Sequence, residues 1–319
     1  MDKKTSSPFI FEEVKTPIGK KTMIDNENTF LLANTKPSSN LHLPFPKDYK
    51  FESCFLSTSF EDFANDYRTF KVRSDDVWIL GYPKSGTTWT LNIVSQLKNG
   101  FDFSKEPLAI YTGLFLERFT VNPEDGYKDL ELLNKAPSPR VIQSHLPPHL
   151  LPVELWTVRP KIIYMARNPK DVAVSFFHMS RDALKYYSGT IEEQFDIFLE
   201  NRSLYAPLHA HILAYWQLRN LDHLLFLNYE EQLADRFAAV KKIAKFLECT
   251  YGEEELKELM EYTSIENMRK LYTKPMNGFQ FFRKGKAGGF VDEMSEEYIK
   301  KFDEWTAENL KYSDFKFAI

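Results

Sequence analysis

Short apolar runs alternate with amphipathic stretches along most of the chain. Val77 to Gly81 is an apolar run closed by a turn signal, the pattern of a buried strand. Thr87 to Leu97 follows with helical spacing at Trp89, Ile93, Val94 and Leu97. Arg140 to Ser144 is a second strand, stopped by Leu146-Pro147-Pro148, and Lys161 to Ala166 is a third. That third strand runs into Arg167-Asn168-Pro169-Lys170-Asp171, a helix start. Asn168 can cap, Pro169 suits the first helical position, and Asp171 adds a carboxylate to the first turn. The helix continues through Val172, Val174, Phe176 and Phe177. Further helices are predicted over Glu61 to Phe70, Ile191 to Leu199, His209 to Arg219, Leu233 to Leu247 and Glu253 to Tyr262, with a strand over Leu224 to Asn228.

Strands alternating with helices predict an α/β fold with a P-loop-like central parallel sheet flanked by helices on both faces. Ligands of such sheets bind outside the carboxyl ends of the strands. Residues 1–45 are polar and broken by Pro8, Pro17, Pro37 and Pro44. They read as an irregular N-terminal arm with room for a short hairpin, ahead of a single domain over 46–319.

Composition narrows the partners. The chain has 319 residues, 43% hydrophobic and 27% charged, with a net charge of -4. These values are ordinary for a globular domain, and the negative balance argues against a nucleic-acid partner while leaving room for a local anion site. Cys54 and Cys249 are the only cysteines and have neither metal-ligand spacing nor a disulfide framework. With no signal-like N-terminus and no apolar run of membrane length, the expectation is a cytoplasmic protein with no membrane partner.

Four groups of residues carry candidate chemistry. The loop from Gly81 to Trp89 comes close to a Walker A motif, but Thr87 stands where the lysine should be and Lys84 lies two positions before Gly86. A lysine there reaches a different atom of a bound nucleotide, so the loop is not built to hydrolyse ATP. Lys84, Ser85, Gly86, Thr87 and Thr88 can still cradle an anion at a helix start, although ordinary strand-to-helix turns use Gly, Ser and Thr freely. Arg167 leaves a strand end, where a guanidinium can grip phosphate, and Ser175 follows on the next helix. Phe282 to Gly289 is a basic, glycine-rich loop that could close over an anion or simply be solvated. His145 ends a strand, and a histidine near neutrality is the usual general base, but a lone one is more often structural. His209 and His211 are assigned no role.

These blocks occur together, in order, in a known family. Tyr82 to Trp89, Ser144-His-Leu-Pro147, Ala166 to Ser175, Asn228-Tyr-Glu230, Thr263-Ser264 and Arg283 to Gly288 resemble the cytosolic sulfotransferases over roughly residues 45 to 319. The N-terminal arm and Gly289 to Ser295 are more similar to the insect branch. The resemblance implies transfer of a sulfuryl group from 3′-phosphoadenosine 5′-phosphosulfate (PAPS), without a metal, to the hydroxyl or amine of a small acceptor. It implies that Lys84, Ser85, Gly86, Thr87 and Thr88 hold the 5′-phosphosulfate, with Lys84 stabilising the leaving phosphate. Arg167, Ser175, Arg283, Lys284 and Gly285 would hold the 3′-phosphate. Trp89 would stack on the adenine with Tyr229 and Thr263 nearby, and His145 would be the base. A small, largely apolar alcohol or phenol is the expected acceptor, against residues around Tyr111 to Phe119 and Phe176, Phe177 and Met179, each of which could equally be core.

Three departures from the family pattern bear on activity. Gln143 stands where a lysine is common, two residues before His145, and loses a charge-assisted hydrogen bond worth about 1 kcal/mol or more. Slower transfer or an altered acceptor follows. Ile265 replaces an aromatic that completes the adenine sandwich, which predicts weaker cofactor binding. The vertebrate-type dimer signature is absent from Val291 to Tyr298, so a monomer or weak homodimer is expected. The alternatives are a dehydratase-like use of the same site on an allylic alcohol, or a catalytically weak protein that binds a nucleotide or a hydrophobe.

Overall fold

The computed structural model of the protein describes residues 7–15, 29–40, 42–103, 114–117, 123–183, 187–273 and 281–318. Two strands lie in the N-terminal arm, β1 (Phe9–Lys15) and β2 (Thr29–Thr35). They pair antiparallel with each other, and β2 pairs antiparallel with β3 (Cys54–Ser57). Over these residues the arm carries the short hairpin for which its sequence left room, extended by pairing with β3. Pro8 and Pro37 sit just outside the strands, where a missing N–H breaks no ladder. Phe9 and Phe30 enter the same apolar core as Leu80 and Phe302.

After α1 (Phe60–Arg68) strands and helices alternate: β4 (Val77–Gly81), α2 (Thr87–Lys98), β5 (Leu114–Phe115), α3 (Pro123–Lys135), β6 (Val141–Ser144), α4 (Val153–Val158), β7 (Lys161–Ala166) and α5 (Pro169–His178), of which β5, α3 and α4 were not predicted. Then come α6 (Ile191–Leu199), α7 (Leu208–Gln217), β8 (Leu224–Asn228), α8 (Tyr229–Ala234), α9 (Arg236–Phe246), α10 (Glu253–Tyr262), α11 (Ile265–Thr273) and α12 (Glu296–Leu310). The helix expected over Leu233 to Leu247 is divided, because Asp235 breaks it and caps α9 at Ala238 N.

The strands after α1 form a parallel sheet in the order β5-β6-β4-β7-β8. Period-two side-chain alternation explains why both faces are covered. Trp78, Leu80, Ile162, Tyr164 and Ala166 enter one core, while Val77, Ile79, Ile163 and Met165 enter another on the opposite face. Register then aligns the carboxyl ends: Leu80 lies beside Ser144, Gly81 beside Met165, and Ala166 beside Asn228. The next residues along these strands are Tyr82, His145, Arg167 and Tyr229, so one edge of the sheet gathers the candidate chemistry. Among the described residues, no helix is long and apolar enough to cross a membrane.

Candidate active site

The β4–α2 loop turns through two residues in the left-handed region, Lys84 (φ 70°) and Gly86 (φ 99°). Gly86 is required twice over: its φ disfavours a side chain, and a Cβ there would lie 2.7 Å from the Tyr229 ring. No side chain caps the N-terminus of α2, which leaves its first N–H groups and positive dipole end facing the loop. Arg167 fixes the turn from the neighbouring strand. Its Nη1 donates to the Lys84 carbonyl at 2.9 Å, and its guanidinium stacks 4.2 Å from the Tyr229 ring centroid. Asn168 caps α5 through Lys170 N, as its sequence predicted.

His145 follows β6 and is buried. Its Nδ1 lies 2.5 Å from the Gly81 carbonyl, which can only accept, so the proton sits on Nδ1 and Nε2 presents the lone pair. Gln143 Nε2 donates to Thr87 Oγ1 at 3.0 Å and approaches His145 Nε2 at 3.4 Å. Burial, with the added charge of Lys84, pulls the imidazole down to about 4 against the help of the Gly81 carbonyl. Burial also lowers Lys84, to about 7, and the nearby charges of Arg167 and Arg283 lower it further. The Lys84 ammonium rests 3.7 Å from the Phe281 ring centroid.

The far wall comes from α5 and the C-terminal loop. Asp171, buried near the start of α5, accepts from Gly288 N at 2.8 Å and Phe290 N at 3.0 Å. This tether brings Arg283, Lys284 and Gly285 to the same cavity as Ser175. Gly285 sits at φ 63°, and a Cβ there would meet Ile265 at 2.5 Å. At the opposite end, Trp89 Nε1 donates to the Thr263 carbonyl at 3.0 Å, holding the indole against the cavity. The cavity is about 250 Å³ and is lined by Lys84, Gly86, Thr87, Thr88, Trp89, Gln143, His145, Arg167, Ser175, Tyr229, Thr263, Arg283, Lys284 and Gly285. Of the candidate catalytic and cofactor-binding residues, only Ser85 is not on its wall; its side chain is buried.

The sulfotransferase domain model matches residues 74–314, the span holding every one of these residues. The chain belongs to the sulfotransferase family. It is 30% identical over 306 residues to the luciferin sulfotransferase of Photinus pyralis, covering 85% of this chain and 82% of that protein. It is also similar to the solved structure of mouse sulfotransferase SULT7A1 complexed with PAP, at 29% identity and a TM-score of 0.69, covering 83% of this chain and 96% of that one. A retinol dehydratase complexed with androsterone and the inactive cofactor PAP shares the fold, at 24% identity and a TM-score of 0.84 over 98% of each chain. The protein is thus a PAPS-dependent sulfotransferase.

In this sulfotransferase, sequence reasoning missed several residues around the cavity. Arg236 lines the wall with its guanidinium 5.8 Å from the Trp89 ring centroid and its Nη2 donating to the Met260 carbonyl at 2.7 Å. Glu117 accepts from His145 N at 2.6 Å and from Ser144 Oγ at 2.7 Å, and burial pushes its carboxyl up to about 8 against these bonds. His211 donates from Nε2 to the His145 carbonyl at 2.9 Å while its Nδ1 accepts from Tyr164 OH at 2.8 Å. His145 is therefore held at its N–H, its carbonyl and its ring. Of the acceptor-pocket candidates, Met179 lines the cavity, while Phe176 and Phe177 pack in the core. Most of Tyr111 to Phe119 lies outside the described residues. Among the described residues, no three His, Cys, Asp or Glu side chains are grouped to hold a metal ion.

Proposed function

We propose that the cavity binds PAPS with the 5′-phosphosulfate on the β4–α2 loop and the 3′-phosphate among Arg167, Ser175, Arg283, Lys284 and Gly285. The adenine lies against Trp89 beside Tyr229 and Thr263, and His145 takes the proton of the acceptor hydroxyl or amine. The observation that carries this reading is the meeting of a neutral imidazole with Lys84, Arg167 and Arg283, from separate segments, in one cavity. A buried polar atom supports the fit. Arg167 Nε, on the cavity wall, has no hydrogen-bond partner among the described residues, and a phosphate oxygen would satisfy it.

Bound PAPS supplies an activated sulfuryl group whose bond to the bridging oxygen breaks. Lys84, at the turn into α2, is suited to stabilise the charge that develops on that oxygen. Its depressed proton affinity reflects both burial and neighbouring cations, and an arriving polyanion would restore its charge. His145 is neutral at working pH, and its Nδ1–H bond to Gly81 aims Nε2 as the base. Arg236 offers a cation beside Trp89 near the wall where Ile265 supplies no aromatic ring. Met179 and Phe281 give the cavity apolar surface suited to a small, largely apolar alcohol or phenol.

The 3.4 Å approach of Gln143 to His145 Nε2 favours a second reading, a slow enzyme. An amide hydrogen on that lone pair competes with the acceptor's proton. The deciding experiment is a PAPS-dependent screen of phenols, steroids, catecholamines and retinoids with the native protein and His145→Ala. Native activity should yield a sulfate ester, and the substitution should lower turnover about 10²–10⁴-fold. Full activity in His145→Ala would overturn the assignment of the base.

A further inference from the structure

The cations assigned to the two ends of PAPS are not equally available. Among the described residues, no carboxylate forms an ion pair with Lys84 or Arg167, whereas Arg283 and Lys284 are already engaged. Arg283 Nη1 donates to Glu293 Oε1. Lys284 Nζ lies 2.8 Å from the same Glu293 oxygen and 2.7 Å from Asp292 Oδ2, and Lys286 Nζ lies 2.9 Å from Asp292.

Glu293 is anchored in that position. Its Oε2 pairs with His178 Nε2 at the end of α5, and His178 Nδ1 faces Asp182 Oδ2 at 3.0 Å. The carboxylate is largely shielded, at 22% side-chain exposure, and so are Arg283 at 29% and Lys284 at 26%. Shielding weakens solvent screening, so replacing the pair with another anion has a measurable free-energy cost. Burial alone would raise the Glu293 carboxyl, but hydrogen bonds from Lys284 and His178 and the charge of Arg283 bring it to about 2, so it is ionised at any working pH.

We propose that Glu293, assisted by Asp292, is a resident counter-ion of the 3′-phosphate subsite, which a 3′-phosphate must displace from Arg283 and Lys284. Binding at this end is an anion exchange rather than the filling of an open cationic pocket. The 3′-phosphate then adds less affinity than its two cationic partners would supply unpaired, and the nucleotide product leaves more easily. The inference rests on the assignment of Arg283 and Lys284 to the 3′-phosphate.

Calorimetry with two probes tests both levels separately: 3′-phosphoadenosine 5′-phosphate (PAP) and AMP, which lacks the 3′-phosphate. In the native protein PAP should bind more tightly than AMP, and Arg283→Ala should collapse that preference. If Arg283→Ala leaves the ratio unchanged, the 3′-phosphate assignment fails and the counter-ion role falls with it. If the ratio collapses, Glu293→Gln decides the inference: PAP should tighten at least tenfold with AMP unchanged. Unchanged or weaker PAP binding would overturn the counter-ion role alone. Asp292→Asn, at a more exposed position, should shift PAP in the same direction by a smaller factor. A shift in the opposite direction would count against the proposal even if Glu293→Gln failed to fold.

Discussion

At the amino ends of β4 and β6, Arg140 meets Asp76 in a two-pronged ion pair, with Nε to Oδ1 at 2.7 Å and Nη2 to Oδ2 at 2.6 Å. Both side chains are sealed from solvent at 1% and 0% exposure, and two further guanidinium hydrogens go to the Leu133 and Lys71 carbonyls. At the carboxyl ends of the same sheet, Lys84 and Arg167 lie together with no carboxylate ion pair among the described residues, and Arg283 adds its charge to Lys84 from the C-terminal loop. One end neutralises its charge within the fold. The other leaves Lys84 and Arg167 as like charges without a carboxylate ion pair among the described residues. Completed electrostatics mark structural work here, and incomplete electrostatics coincide with the site proposed for the nucleotide.

Breaking the completed end should have the largest effect. Asp76→Ala leaves Arg140 charged and buried, and should destabilise the fold by about 3–5 kcal/mol in a urea titration. A change below about 1 kcal/mol would mean that the pair is not structural. Lys84→Met probes the other end and should behave oppositely. Turnover should fall about 10²–10³-fold, the usual loss for one preorganised donor, while the urea midpoint stays the same or rises. The same variant isolates a pH effect. Lys84 titrates at about 7 in the free protein, and bound phosphates raise that value, so PAP binding takes up a proton above pH 7. Native PAP affinity should therefore weaken as pH rises from 7 to 9, by up to about tenfold per unit, and Lys84→Met should lose that dependence.

Two smaller changes sharpen the contrast by adding to the unfinished end. Gln143→Lys removes the amide from His145 and restores a charge-assisted donor near Thr87, so turnover should rise by a factor corresponding to about 1 kcal/mol. An unchanged or lower rate would show that Gln143 does not limit the reaction. Ile265→Phe adds a ring at the adenine end and should tighten PAP by about 0.5–1 kcal/mol in calorimetry. Looser binding would show that the tight packing of Ile265 on Gly285 matters more than stacking.

The sheet and the strand-end residues were legible because their signals are local. Val77 to Gly81, Lys161 to Ala166 and Leu224 to Asn228 each declare a buried strand, and Asn168-Pro169 declares a helix start within a few residues. The family blocks added order. Less visible were contacts between residues far apart in sequence whose local patterns are bland. Arg236 reads as an ordinary charge at a helix start, and its nearness to Trp89 exists only after α9 packs against α2. Glu293 reads as a solvated acid until α5 places His178 beside it. The N-terminal strands were less legible: the prolines that bound β1 and β2 left room for a short hairpin but did not locate its strands.

The tether from Asp171 to Gly288 and Phe290 has a consequence for synthesis. The loop that begins the nucleotide site is translated early, whereas the wall that closes it emerges more than a hundred residues later. All five strands of the parallel sheet and the β4–α2 loop are translated before Arg283, although Met294, Phe302 and Phe315, which complete one of its cores, come after it. Of the residues proposed for the 3′-phosphate, a chain translated only that far would hold only Arg167 and Ser175. Any product truncated ahead of Gly288 would carry a cradle with no clasp.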